Sequence, residues 1–142
     1  FKIKPHPTYS IKEVQSLLGL QETENIEFVS DDFHDVIEKS NLLISNSSSV
    51  CLESLAKGVP VIIVGSAIGV TQNPIPSQLA PEMWREVHNA TTLSESIQRY
   101  NISRSDDRIS FQAIGSKIRA DYFNQVTIAS VQNFVFGSST DA

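Results

Sequence analysis

Four serines and an asparagine stand together in Ser45-Asn46-Ser47-Ser48-Ser49. Hydroxyls at that density pack poorly and hydrogen-bond well. They follow the apolar run Leu42–Ile44 and precede a helix-patterned stretch, Val50–Lys57. They therefore fall in a strand-to-helix turn. Free amides and the positive end of a helix favour a phosphate at such a turn, and serine hydroxyls add donors without bulk. Serine is also a good helix cap, and one of Ser47, Ser48 and Ser49 is expected to act as one. Capping accounts for one serine and not for a run of them, so both readings stay open on the sequence.

Glu53 lies four residues beyond Ser49 and shares a helix face with it. A capping box would need serine or threonine three residues before the glutamate, where Val50 stands. Glu53 is then either a solvated carboxylate favoured by the helix dipole or an acceptor for ribose hydroxyls, a role acidic residues play in nucleotide-binding folds. His6 sits between Pro5 and Pro7. The prolines stiffen the backbone, so the imidazole is presented from a fixed turn, where it could meet a phosphate or a leaving group. His34 and His88 stand alone and read as ordinary polar positions. No Cys/His grouping has metal-ligand spacing, so no metal is expected. No phosphate loop and no G-x-G-x-x-G occurs, and Gly65–Gly69 (G-S-A-I-G) is only a weak loop signal. No residue is assigned a catalytic role.

These residues need a scaffold that brings strand ends together. Phe1–Lys4 reads as a short strand stopped by Pro5 and Pro7. Ser10 with Glu13 is a capping box; Ile11, Val14, Leu17 and Leu18 form a helical apolar face, and Gly19 closes it. Ile26–Val29 is a second strand, and Asp31 or Asp32 opens a helix carrying Phe33, Val36 and Ile37. Leu42–Ile44 is a third strand whose unbroken apolar run suggests burial on both faces. After the Val50–Lys57 helix, Gly58 is a stop and Val61–Val64 a fourth strand. Strands separated by single helices imply right-handed crossovers and one parallel sheet. The fold expected is α/β: a Rossmann-like, three-layer domain followed by C-terminal helices. Ligands in such sheets bind beyond the carboxyl ends of the strands.

From Gly65 to Met83 the periodicity disappears, and a loop of that length is expected to be functional or mobile. Trp84–His88 is a last short strand, and Thr92 with Glu95 is expected to cap a helix carrying Leu93 and Ile97. Asp106 to about Phe136 reads as helical with a break near Asp121. Phe111, Ile114 and Ile118 mark one face; Phe123, Val126 and Val131 suggest another. Residues 1–136 are taken as one domain and residues 137–142 as a disordered tail.

The 142 residues carry a net charge of −5, which argues against a nucleic-acid partner. Cys51 is the single cysteine, so no internal disulfide forms and a cytoplasmic setting is expected. No apolar run is long enough to span a membrane. Asn46, Asn89 and Asn101 each fit Asn-x-Ser/Thr; these are read as chance matches, with Asn46 expected in a buried turn. A chain that opens at Phe1 inside a strand reads as a piece of a longer protein.

The stretch SNLLISNSSSVCLESLAKGVPVI resembles the donor-binding half of GT-B glycosyltransferases. It is most similar to the branch with teichoic-acid glycerophosphotransferases, bacterial polysialyltransferases and capsule-type transferases. That branch carries a pattern like S-D-x-x-I-[ST]-D-x-S-S-x-x-x-E, an apolar strand after G/K-x-P-V, and an upstream His-Pro pair. Lys4-Pro5-His6-Pro7, Ser48-Ser49, Glu53 and Gly58-Val59-Pro60-Val61 supply these in order, over roughly the first half of the chain; Asn41 and Asn46 stand where the family has aspartates. The resemblance implies that His6 and the Ser48-Ser49 hydroxyls contact nucleotide phosphate; Ser47, in the same run, is taken with them as donor-binding. It implies that Glu53 faces the ribose and that the turn near Ser30 lines the base. It implies a nucleotide-sugar donor, CMP-, CDP- or UDP-linked, no further cofactor, and a role in surface polysaccharide biosynthesis. The acceptor domain would precede this one in the full protein, which could associate peripherally with the inner face of the membrane. The isolated domain would then be inactive. A non-hydrolysing sugar-nucleotide epimerase domain and a non-catalytic flavodoxin-like interaction domain are the alternative expectations.

Overall fold

The computed structural model describes residues 1–101, 105–123 and 126–136. The chain is a small α/β protein with parallel sheets and C-terminal helices, consistent with a generic Rossmann-like architecture. It forms two compact units, Phe1–Ser40 and Asn41–Ala142. The tail expected at 137–142 lies outside the described residues.

The first unit runs β1 (Lys2–Ile3), α1 (Ile11–Leu18), β2 (Glu27–Phe28) and α2 (Phe33–Glu38). β1 and β2 pair in parallel, with Lys2 opposite Glu27 and Ile3 opposite Phe28. The Lys2 ammonium and Glu27 carboxylate are 3.4 Å apart and exposed, a pair worth roughly 0–1 kcal/mol. Pro5 and Pro7 have no N–H to continue the ladder, so β1 stays short. α1 is fixed at its start by the expected capping box. Ser10 Oγ accepts from the Glu13 N–H at 3.3 Å, and Glu13 Oε2 accepts from the Ser10 N–H at 2.7 Å. Gly19, at φ 62°, ends the helix in the left-handed conformation. The apolar face of α1 is only half covered: Ile11 and Val14 are half-buried, whereas Leu17 is 80% exposed. Asp32 caps α2, its Oδ1 accepting from the His34 N–H at 2.8 Å.

The second unit runs β3 (Leu43–Ser45), α3 (Val50–Ala56), β4 (Val61–Val64), β5 (Trp84–Val87), α4 (Ala90–Asn101), α5 (Ser105–Tyr122) and α6 (Ile128–Phe136). β3, β4 and β5 form one parallel sheet in that order. β4 is the middle strand, and Val61, Ile62 and Ile63 are completely buried. Alternation along it sends Val61 and Ile63 into a core with Leu55, Cys51 and Ile118, and Ile62 into a second core with Val87 and Tyr100. Each such aliphatic side chain contributes about 1.5–3 kcal/mol on burial.

α3 and α5 pack closely because two glycines allow it. A Cβ on Gly115 would lie 2.5 Å from the Gly58 nitrogen and 2.7 Å from the Leu55 carbonyl oxygen. Gly58, at φ 75°, closes α3 as expected, with the Gly58 N–H on Leu55 O at 2.9 Å and the Val59 N–H on Ser54 O at 3.0 Å. α5 completes that end: Gln112 Nε2 donates to Lys57 O at 3.2 Å and Arg119 to Ala56 O at 3.4 Å.

Four expectations change. The described strands form a two-stranded and a three-stranded sheet rather than one sheet of four or more. Crossover patterning predicts parallel neighbours, which is found; which ladders join depends on edges that the pattern does not encode. β3 is half-buried, not buried on both faces, because it has a ladder on one side only. α4 begins earlier than Thr92: Asn89 is its cap, with Oδ1 accepting from the Thr92 N–H at 2.9 Å. Thr92 Oγ1 also bonds Asn89, so no Thr92–Glu95 box forms at the helix start. Asn46 is exposed rather than buried. Among the described residues, no helix is long and apolar enough to cross a membrane.

Candidate functional site

The turn between β3 and α3 is built from its ends. Ser45 closes β3 opposite Ile63 of β4. Beyond it the Cys51 thiol, on the buried side of α3, donates to Asn46 O at 3.6 Å. Burial pushes that thiol above its ordinary range, and the Ser45 hydroxyl partly offsets the effect. Asn46 Oδ1 accepts from the Ser47 N–H at 2.6 Å. The main chain then winds into the helix: Cys51 N–H to Ser48 O at 3.1 Å and Leu52 N–H to Ser49 O at 3.0 Å.

The serine hydroxyls do not cap α3. Ser49 already has helical angles, φ −58° and ψ −26°, and makes no side-chain capping bond. A capping side chain reaches the N2 or N3 amide from an extended backbone, which Ser49 lacks. Among the described residues, no hydrogen bond engages the hydroxyls of Ser47, Ser48 or Ser49. Ser47 and Ser49 are exposed and Ser48 is half-buried. Glu53, half-buried in the first turn of α3, lies one turn beyond Ser49. The arrangement offers several hydroxyl donors and one carboxylate acceptor along one strand-to-helix connection.

His6 and Ser30 belong to the first unit. They follow β1 and β2, so they lie at the carboxyl end of that parallel ladder. Both are exposed. The Thr8 N–H donates to His6 Nδ1 at 3.3 Å, and the Thr8 hydroxyl is 2.8 Å from the same nitrogen. An N–H can only donate, so Nδ1 accepts and the proton of the neutral ring sits on Nε2. Tyr9 N–H to His6 O at 2.9 Å closes the turn that the prolines begin. Within the first unit the fold thus places His6 and Ser30 at one sheet end; within the second it gathers Ser47, Ser48, Ser49 and Glu53.

A polar cluster at the end of β5 was not among the expected residues. His88 Nδ1 is 3.0 Å from Ser66 O, and His88 Nε2 is 3.4 Å from Glu86 Oε1. Glu86 Oε2 accepts from Asn73 Nδ2 at 3.0 Å. The signal available in the sequence is the period of a strand: Glu86 and His88 are two apart and so share a face. Among the described residues, no group of three or more His, Cys, Asp or Glu could hold a metal ion.

No protein-family model matches the chain, and comparison with curated proteins and with solved structures gives no match.

Proposed function

We propose that the β3–α3 turn of this protein holds the phosphate of a nucleotide-sugar donor, and that the chain is the donor-binding, Rossmann-like, three-layer part of a GT-B glycosyltransferase acting in surface polysaccharide biosynthesis. The observation that carries the reading is the set of Ser47, Ser48 and Ser49 hydroxyls at the carboxyl end of a parallel strand, none of them used to cap the helix that follows. Capping was the competing duty for these side chains, and it is not the one they perform. α3 has seven residues, so its dipole alone is a modest attraction for an anion. The hydroxyls supply the directed donors. Glu53, one turn further on, would accept from ribose hydroxyls. The order of the His-Pro, Ser-Ser, Glu and Gly-x-Pro-Val motifs gives the family resemblance on which the transferase part of the reading rests.

Calorimetric titration with CMP, CDP, UDP and GDP tests it. One of these should bind with measurable heat, and the 142-residue chain should transfer no sugar from the corresponding donor. Absence of binding by all of them would remove the reading.

A further inference from the structure

β4 leaves the middle of its sheet at Val64, and the segment after it is drawn back onto the end of β5 by side chains. His88 provides the main tie, with Nδ1 3.0 Å from the Ser66 carbonyl oxygen. A carbonyl oxygen only accepts, so Nδ1 carries a proton and donates. The other side of the ring faces Glu86, whose second oxygen holds Asn73. Thr71 Oγ1 accepts from the Ser66 N–H at 3.1 Å, and Ser66 Oγ accepts from the Ile68 N–H at 3.3 Å. Gly65 makes room for the ring: a Cβ there would stand 2.6 Å from both His88 Cε1 and Thr71 Oγ1.

Both ends of Ser66–Asn73 are therefore tied to one strand end, while Ile68 and Val70 between them stand fully in solvent. His88 holds the segment through Nδ1–H on Ser66 O, while the other edge of its ring lies toward Glu86. The registers Ser45–Ile63 and Ile63–Glu86 bring the serine turn, the start of this segment and His88 off adjacent strands at one sheet edge. Neighbouring strands are about 4.8 Å apart, so the serine turn and Gly65, where the segment begins, leave the sheet side by side.

We propose that Ser66–Asn73 is a strap latched over the carboxyl end of β4 by His88, and that the latched strap forms a wall of the ligand site at the serine turn. The wall rests on the reading of that turn as a phosphate site; the latch does not. Hydrogen exchange of the Ser66 and Ile68 amides, followed in wild type, His88→Ala and His88→Asn, tests the latch without ligand. An asparagine amide N–H can take the place of Nδ1–H. The alanine variant should exchange roughly two- to tenfold faster at these amides, the factor one hydrogen bond represents, and the asparagine variant should return to the wild-type rate. Calorimetry on the same proteins, with whichever of CMP, CDP, UDP and GDP wild type binds, tests the wall: affinity should fall with alanine and recover with asparagine. Unchanged exchange in His88→Ala overturns the latch. Faster exchange with unchanged affinity for that nucleotide overturns the wall. If wild type binds none of CMP, CDP, UDP and GDP, the phosphate reading fails and the wall with it, and the exchange data still decide the latch.

Discussion

The two units solve the same problem by different means. In Phe1–Ser40, order leans on short-range devices, the Ser10–Glu13 box, the Gly19 stop, the Asp32 cap and the His6–Thr8 turn, with only Phe28, Val29 and Ile37 buried. α1 contains no buried residue. In Asn41–Ala142, order comes from depth. β4 is buried along most of its length, and α5 lies so close to α3 that Gly115 has no room for a methyl group. Local devices of this kind are worth about 1 kcal/mol apiece, whereas a single buried leucine is worth two or three times as much. Stability should therefore be concentrated in the second unit, which also carries the serine turn.

The sharpest way to break this contrast is a matched pair of truncations. Leu55→Ala, in the core of the second unit, should cost about 2–5 kcal/mol. Leu17→Ala, on the open side of α1, should change stability by no more than about 0.5 kcal/mol. Urea unfolding of both variants checks this, and equal losses would erase the distinction. Next in size is Gly115→Ala. The new methyl would press on Gly58 and Leu55, and forcing α5 outward should cost about 1–3 kcal/mol, reduced by the roughly 1 kcal/mol that alanine gains over glycine in a helix. Thermal melting of the variant is the measurement.

Cys51 reads the same contrast chemically. The thiol is fully buried and its pKa is raised mainly by that burial, so the reactive thiolate is scarce. A maleimide should leave Cys51 unmodified in the folded chain and label it at once in denaturant; rapid labelling under native conditions would mean that the second unit opens readily. The smallest effect belongs to Glu13, whose pKa is lowered by the Ser10 backbone and hydroxyl hydrogen bonds. A carboxyl that is more acidic folded than unfolded stabilises the fold while it is ionised. That contribution is present above the ordinary carboxylate range and is lost as pH falls through the lowered value. Melting should show a slightly weaker acid dependence for Glu13→Gln than for wild type: wild type slightly the more stable at neutral pH, and the difference closing as pH falls through the lowered value.

What the sequence made legible follows the range of the interaction. The caps at Ser10 and Asp32, the stops at Gly19 and Gly58, and the strand at Val61–Val64 are set by neighbours in the chain, and all are present. Sheet membership was not legible, because Ile3, Phe28 and Ile44 are equally good strand residues and nothing in their order says which edges meet. The choice of Asn89 over Thr92 was missed because both can cap, and the decision depends on where the backbone turns. The serine turn was placed correctly between a strand and a helix, yet its freedom from capping depends on the angles of Ser49, which no pattern reports. The His88 latch needed the return path of an irregular segment across the end of β5.

The reading of the turn is tested most directly by Ser48→Ala combined with Ser49→Ala, with nucleotide affinity and melting measured on the same protein. Hydrogen bonds to a charged phosphate are worth roughly 1.5–3 kcal/mol, so affinity should fall tenfold or more, about 1.4 kcal/mol being one decade. Melting should shift by no more than a surface substitution causes, about 0.5 kcal/mol, because neither hydroxyl has a partner among the described residues. A variant that melts lower and binds nucleotide as tightly as wild type would contradict the account: the serines would then be structural, and the turn would hold nothing.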